Sequence, residues 1–332
     1  MTTLASRRRW LITALAIGSF QGALPVCTWA AEPWPTKPIR LIVPFPPGGP
    51  TDVIGRSLAK VLSDRLGQPV VVDNKAGAGG NIGTDAAAKS PPDGYTLVLS
   101  AVSSLAIAPA LFPKLPYNVA TDFTPITLVA IGKGAIVAHP SAPFSDLKGM
   151  VDYARANPGK LAYATSGAGT ANHLAAEYLQ SIAQIKLTHV PYKGTAPATQ
   201  DLLAGVVPMS FESSLTSAAV NVQSGKLKGI AITAATRSGL LPNVPTVAES
   251  GYPGFDVPTW FGLVGPAGLP KDIVSALNKA AVEGLKAADV VERFAKIGAE
   301  PATTSPERFT DYIRSENERW GKVVRDADIK ME

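Results

Sequence analysis

Ser166, His173 and Glu177 offer, by residue type, a nucleophile with an acid/base set, the ingredients of hydrolytic acyl transfer. Their surroundings do not develop that reading. Ser166 lies in TSGAG and lacks the G-x-S-x-G elbow that presents a serine nucleophile. The chain has three histidines, and His173 and Glu177 stand at i and i+4, a spacing that any helix surface produces. A hydrogen-bonded histidine at a helix start accounts for the position without chemistry. The same pair makes a poor metal site, because no third ligand accompanies it and H-E-x-x-H is absent. The loop GAGGNI at 77–82 is no better as a dinucleotide fingerprint: Ile82 stands where a third glycine or alanine belongs, and no G-K-[ST] follows a glycine loop. Hydrolysis through Ser166 is therefore a minor alternative, and no catalytic residue, metal or cofactor is expected.

Anion binding is the chemistry that the residues do favour. Ile39 to Asp52 reads IRLIVPFPPGGPTD, an apolar strand that runs into a proline- and glycine-rich loop and then a capped helix starting near Thr51. Glycine lets backbone N–H groups approach a ligand closely, and the helix start directs unpaired donors and the positive end of its dipole into the loop. No Lys or Arg lies between Val43 and Asp52, so a carboxylate held here is held by backbone dipoles rather than by an ion pair. An ordinary strand-to-helix turn has the same pattern, but open α/β sheets bind ligands at such ends. Two more loops, NKAGAGGN at 74–81 and TSGAGTANH at 165–173, lead into helices in the same way without repeating the first in sequence.

The elements that must position these loops begin after residue 30. Arg7, Arg8 and Arg9 precede an apolar run from Trp10 to Ile17, and Thr28-Trp29-Ala30 ends in small residues at a cleavage site, so residues 1–30 are expected to be an export signal, by the twin-arginine or the Sec route. Cys27, the only cysteine, falls inside it. Loss of the three arginines leaves 28 basic against 26 acidic residues, a net of +2 that removes the case for nucleic acid. The uncharged stretch Tyr95 to Pro113 is interrupted by Ser100, Ser103, Ser104 and Pro109, which reads as a strand and a short helix rather than a membrane span. A periplasmic protein, soluble after processing, is expected.

Along the mature chain, strands alternate with helices. Ile54, Leu58, Val61, Leu62 and Leu66 recur at helical spacing, Gly67 ends that helix, and Pro69 to Val72 and Tyr95 to Ser100 read as strands of a parallel, doubly wound sheet. After Asp122, Ile126 to Ile131 and Ala135 to His139 are extended runs separated by Gly132-Lys133-Gly134, the expected crossing into a second α/β domain. There, Ser145 is expected to cap a helix, Leu161 to Ala164, Leu187 to Tyr192, Val207 to Glu212 and Leu227 to Thr233 are strands, and helices fall near Thr195 to Leu203 and Leu215 to Ser224. The Pro-, Gly- and aromatic-rich segment Tyr252 to Pro270 supplies a return crossing with one strand, Thr259 to Val264, before a mostly helical end. Phe45 and Trp260 are candidates for an aromatic pocket wall, with core packing the commoner role for Trp260. The partition is thus 31–131 with 258–332 as one domain and 132–257 as the other, with the loops after Val43 and Ala164 facing each other across a hinged cleft.

WPTKPIRLIVPFPPGGPTDVIGR, VVDNKAGAGGNIGTDAAAKSPPDGYTL, HVPYKGTAPATQDLLAG and LPNVPTVAESGYPGF, spread in order over nearly the whole mature chain, resemble the periplasmic solute-binding receptors of tripartite tricarboxylate transporters. The resemblance implies an α/β fold of two Rossmann-like domains joined by crossing strands, with the hinged cleft of a type II-like periplasmic binding protein. It also implies a small carboxylate ligand, a dicarboxylate or an aromatic carboxylate, delivered by a monomer to membrane permease subunits. Carried over by motif, ligand contacts would come from Phe45, Pro47, Gly48, Gly49 and Thr51, with Asp52 shaping the loop, and from Ala78, Gly79 and Gly80 on the wall. In the second domain, Thr165, Ser166, Gly167, Gly169, Thr170, Ala171 and His173 match the family's small-residue loop, and Ala198 and Glu212 fall in regions that vary with ligand. Glu212 stands where many relatives have Asp. Ala101-Val102-Ser103-Ser104 replaces a more polar family segment, which implies a more apolar wall and argues against citrate. A sensor that hands the same ligand to a signalling partner is the alternative from another class.

Overall fold

The computed structural model describes residues 34–329; the expected export signal and Cys27 lie outside the described residues. The first strand–helix units are β1 (Ile39–Val43), α1 (Pro50–Leu66), β2 (Val70–Asn74), a 3₁₀ turn at Ala78–Gly80, α2 (Asn81–Ala88) and β3 (Thr96–Ala101). A π-helical turn (Ser103–Ile107), α3 (Ala108–Leu111) and β4 (Phe123–Gly132) follow. The chain then builds β5 (Ala135–Ala138), α4 (Leu147–Ala156), β6 (Ala162–Thr165), α5 (Ala171–Ala183), β7 (Thr188–Pro191), α6 (Thr195–Leu203), β8 (Met209–Glu212), α7 (Thr216–Gln223) and β9 (Lys228–Ile232). It closes with β10 (Thr259–Pro266), α8 (Lys271–Gly284), α9 (Ala288–Ala295), β11 (Ala299–Pro301) and α10 (Pro306–Asp326).

Two sheets result, with orders β11-β4-β10-β3-β1-β2 and β7-β6-β8-β5-β9. β1 pairs parallel with β2 and β3, and β6 pairs parallel with β7 and β8, as βαβ units require. The parallel arrangement expected for the first strands holds, but it does not extend to the crossing strands. β10 lies antiparallel to β3 and β4, and β5 lies antiparallel to β8 and β9. Strands that carry the chain from one sheet to the other arrive from the opposite end, so both sheets are mixed. The passages occur at Lys133, between β4 and β5, and between β9 and β10, where Val257 N donates to Thr233 O and Thr233 N donates to Gly134 O. Ser145 does not cap α4: Asp146 does, its Oδ1 accepting from Gly149 N at 2.7 Å. Serine and aspartate are both good caps, and only the backbone geometry at the helix start chooses between neighbours.

Apolar strand faces and helix stripes bury the core on both sides of each sheet. In the six-stranded sheet, Leu41, Leu97 and Leu263 pack with Ile54, Leu58, Leu62 and Leu277 of α1 and α8. On the other face α10 covers β10, where the fully buried Trp260 meets Phe309 and Tyr312 edge-on and donates Nε1–H to the buried Glu316 at 2.8 Å. Trp260 is therefore core. Its neighbours Thr259 and Phe261 lie on the opposite face of the pleat, where Phe261 joins the core on the α1 and α8 side, since successive strand residues alternate sides.

Candidate functional site

The first loop is set by one buried carboxylate. Asp52, in the first turn of α1, accepts from Gly48 N at 3.0 Å and Arg56 Nε at 2.9 Å through Oδ2, and from Asn74 Nδ2 at 2.9 Å through Oδ1. Asn74 Nδ2 also reaches Phe45 O, which joins both ends of the loop to the end of β2. Burial pushes the Asp52 carboxyl up, but hydrogen bonds from Arg56, Gly48 and Asn74 outweigh it and hold the group below its ordinary range. The expected side-chain cap of α1 is absent: Gly49 is the N-cap and Pro50 opens the helix. Helix geometry then leaves the N–H groups of Gly49, Thr51 and Asp52 without partners inside the helix.

The second loop is held from beneath. Asn172 donates Nδ2–H to Phe211 O at 2.7 Å, which turns its Oδ1 towards the hydroxyls of Ser166 at 3.1 Å and Thr170 at 2.6 Å. His173 accepts Gly169 N–H on Nδ1 at 3.2 Å, and its ring stacks on His189 with centroids 4.1 Å apart. His189 Nε2 lies 2.6 Å from Thr165 Oγ1. Burial lowers both imidazoles to about 4, with the His173 charge adding to the shift of His189. Both rings are therefore neutral at pH 7 and act as loop supports. Ser166 and His173 hydrogen-bond to different partners, so the two are not arranged as nucleophile and base.

Between the loops runs a narrow cleft that opens to solvent. Three helix starts border it: Gly49, Pro50 and Thr51 of α1, Thr170 and Ala171 of α5, and Gly194 to Pro197 of α6. Phe45, Pro46, Ala101, Val102 and Phe261 make the apolar wall, and Ser103, Ser213 and Thr259 add hydroxyls. Ser103 is 3% exposed and its Oγ makes no hydrogen bond within the described protein, as is also true of the adjacent Ser104 Oγ, which does not border the cleft. It opens the π-helical turn after β3, a local distortion that recurs at functional sites. No Asp or Glu borders the cleft, and Lys193 is the one charged residue among the described residues that line it.

The two sides touch. A Cβ placed on Gly79 would lie 2.8 Å from Ala168 O, one on Gly194 would lie 3.2 Å from the Pro46 ring, and one on Gly169 would lie 3.2 Å from the Phe112 ring. Gly79 and Gly194 both have positive φ, 64° and 111°, so glycine serves there for conformation and for close approach. The Pro46–Gly194 contact separates the cleft from an adjoining chamber bordered by Ala78, Gly79, Gly80 and Gly167, and Lys193 borders both.

Of the residues singled out in the sequence, Phe45, Pro47, Gly49, Thr51, Ser166, Thr170 and Ala171 line the cleft, and Ala78, Gly79 and Gly167 line the chamber. Gly48 is exposed beside the cleft with its N–H tied to Asp52. Thr165, Gly169, His173, Ala198 and Glu212 do not line the cleft. Thr165 and His173 lie behind the loop, Gly169 is buried, and Ala198 packs in the core beneath α6. Glu212 is buried at the end of β8, where Ser210 Oγ donates to it at 2.7 Å; burial pushes its carboxyl up to about 7, against the pull of that hydrogen bond. Sequence reading placed the segment 101–104 on the wall without singling out the Ser103 hydroxyl, and it missed Lys193, the start of α6, Ser213 and Phe261 as cleft residues. The α6 start was findable, since Gly194-Thr195-Ala196-Pro197 repeats the glycine-then-helix pattern of the other two loops.

Comparison with known proteins places these features in context. The family model described as tripartite tricarboxylate transporter family receptor matches residues 54–329. Protein BugT of Bordetella pertussis (strain Tohama I) is 42% identical over 303 residues, 91% of this chain and 93% of that one. The solved structure of R. palustris Rpa4515 with adipate superposes with a TM-score of 0.85 at 35% identity, covering 90% of this chain and 99% of the other. MatC (Rpa3494) from Rhodopseudomonas palustris with bound malate gives 0.81 at 34% identity, covering 87% and 99%.

Proposed function

We propose, for a chain that belongs to the tripartite tricarboxylate transporter receptor family, that it captures a small organic carboxylate in the cleft and delivers it to membrane permease subunits. One observation carries the ligand class. Three helix starts, contributed by elements on both sides of the cleft, converge beside the unpartnered Ser103 hydroxyl in a lining that contains no acidic side chain. A carboxylate at a helix N-terminus gains roughly 0.3–2 kcal/mol, and charge-assisted hydrogen bonds add about 1.5–3 kcal/mol each, so a few together reach the roughly 8 kcal/mol of micromolar binding. Adipate and malate in the two structural neighbours support the same class. The apolar wall from Phe45 to Phe261 favours a ligand with a hydrocarbon or aromatic body over a compact hydrophilic one.

Receptor action follows from the arrangement around the hinge. On this reading the described residues up to 131 together with those from 258 make one lobe and 132–257 the other, and a ligand that touches α1 on one side and α5 and α6 on the other stabilises the closed form, because only differential contacts move such an equilibrium. The protein acts in the periplasm as a monomer without turning its ligand over. Among the described residues no helix is long and apolar enough to cross a membrane.

A thermal-shift screen of aliphatic and aromatic mono-, di- and tricarboxylates, followed by calorimetry, tests the ligand class. Acids are expected to bind one per chain, and amides or esters that bound equally well would refute the carboxylate reading. In Ser166→Ala the affinity for a hit is expected to fall by about 0.5–3 kcal/mol, the span from an ordinary to a charge-assisted hydrogen bond, since the hydroxyl must give up Asn172 Oδ1 to donate to the ligand. Ligand recovered unchanged after long incubation fits a receptor, whereas repeated turnover lost in Ser166→Ala establishes a hydrolase.

A further inference from the structure

We propose that Lys133 and Arg319 are latches on the two chain crossings, each spanning a pivot and biasing the molecule towards its closed form; this rests on the two-lobe reading above. The pivots are short, because backbone hydrogen bonds tie down the chain on both sides of them. On the first passage Gly132 still pairs in β4 with Thr259 and Ala299, and Lys133 N donates to Gly298 O at 3.2 Å. One residue later, Gly134 O accepts from Thr233 N at 3.0 Å and belongs to the five-stranded side. On the return, Asp256 Oδ1 accepts from Ala235 N at 2.9 Å and Val257 N donates to Thr233 O at 2.8 Å, whereas Thr259 is already in β10. Rotation of one side against the other is thereby confined to the bonds around Lys133–Gly134 and Pro258.

One long cationic side chain bridges each pivot. Lys133, whose backbone N–H is held by the six-stranded side, extends its ammonium group to the five-stranded side, where it donates to Thr236 Oγ1 at 2.8 Å and Arg237 O at 2.9 Å. That carbonyl is fixed in turn, since the Arg237 guanidinium pairs with Glu249 at 2.8 Å. Arg319 of α10 donates through Nη2 to Asp256 O and through Nη1 to Glu316 Oε1 at 3.1 Å. Glu316 is buried and accepts the indole N–H groups of Trp260 and Trp320 on Oε2, at 2.8 and 3.3 Å, so the arm that grips Asp256 starts from a rigid base. Neither cation lines the cleft or the chamber, so neither acts by holding ligand. Both contacts coexist with the close approach of Gly79 to Ala168 and of Gly194 to Pro46 across the two sides. Turning about the pivots changes the distance that each cation must span. Opening therefore gives up two charge-assisted hydrogen bonds to water, and the pair stabilises the closed form without touching ligand.

Two readouts test the latches, one with ligand and one without. Hexanedioate, benzene-1,4-dicarboxylate and benzoate are titrated into the wild type, Lys133→Met and Arg319→Met, whose methionines keep a stem and remove the donors. Each variant is expected to weaken every acid that binds by the same factor, about five- to tenfold, through faster dissociation with the association rate within about twofold of wild type. Affinities within twofold of wild type in both variants overturn the proposal, as does a changed ranking of the acids, which would place the effect on the ligand itself. Without ligand, spin labels at Lys114→Cys and Lys186→Cys in a Cys27→Ser chain report the separation of the two sides by electron–electron double resonance; both lysines are exposed, one on each side. The wild type is expected to hold a short-distance population that shrinks in each methionine variant, and distributions that coincide overturn the proposal. Arg319→Lys, which still offers Glu316 a cation, takes the place of Arg319→Met if the methionine variant does not fold, with the same outcomes read. Failure of every acid to bind would fell the receptor reading alone, and the label distances would still decide for or against the latches.

Discussion

Gly79→Val is expected to weaken ligand binding at least a hundredfold while leaving the protein folded. The Cβ of any residue at 79 would lie 2.8 Å from Ala168 O across the chamber beside the cleft, a backbone atom that cannot rotate away, and φ of 64° is a conformation that a β-branched residue resists. In an open form the carbonyl is out of reach, so the steric part of the penalty falls on the closed form. If it amounts to about 3 kcal/mol, the closed fraction and with it the apparent affinity drop by roughly 150-fold. Calorimetry measures the affinity, and small-angle scattering at saturating ligand is expected to show the valine variant more expanded than the wild type. An affinity within threefold of wild type would mean that the 79–168 contact is incidental to binding.

The second large effect is on pH dependence, and it involves two groups of opposite sign. His173 and His189 are lowered to about 4 by burial, against 6.5 in an unfolded chain, so folding favours their neutral forms. The stability they contribute is complete above pH 6.5 and is lost as pH falls through 4, by up to about 3 kcal/mol for each. Protonation of His173 at Nδ1 also removes the acceptor of Gly169 N–H, so binding is expected to weaken in the same window. Glu177, whose Oε1 lies 3.6 Å from His173 Nε2, favours the charged form of His189 and moderates its part of the loss. Glu212 runs the other way. Its carboxyl is raised to about 7 from 4.5, so its contribution is present below 4.5 and is lost as pH rises through 7. Glu212→Gln retains an acceptor for the Ser210 hydroxyl and has no charge to bury, and is expected to be more stable than wild type by about 1–3 kcal/mol at pH 8 and no more stable at pH 4. Urea unfolding from pH 4 to 8 checks both: His173→Gln, which still offers an amide oxygen to Gly169, flattens the acid limb. A Glu212→Gln variant less stable than wild type at pH 8 would contradict the assigned direction.

Much of the fold was legible because its units are local. A β-branched run, then glycine and proline, then apolar residues at helical spacing specify β1, the first loop and α1 within a stretch of about thirty residues, and β6 with α5 in the same way. Strand direction was not legible. Ile126 to Ile131 and Thr259 to Val264 carry the same period-2 pattern whether they pair parallel or antiparallel, and the antiparallel outcome comes from the end at which each crossing enters the sheet. The three-residue β11 pairs with β4 over 299–301, a contact between segments some 170 residues apart that no local pattern announces.

The candidate site divides along the same line. Residue order alone determined that three loops end at helix starts poor in charge and rich in glycine, because turn chemistry, N-cap geometry and the close approach of backbone depend on neighbours in the chain. Which side chains face the cleft was decided only by the packed structure. His173 and Glu212 belong to the right segments, yet the helix and strand that carry them turn them inward, where burial shifts their pKa values and makes them supports. Lys193 looks in sequence like any solvated surface lysine. It borders the cleft because Gly194 brings its segment against Pro46, a residue 148 positions earlier that the pairing of two separate sheets has put beside it.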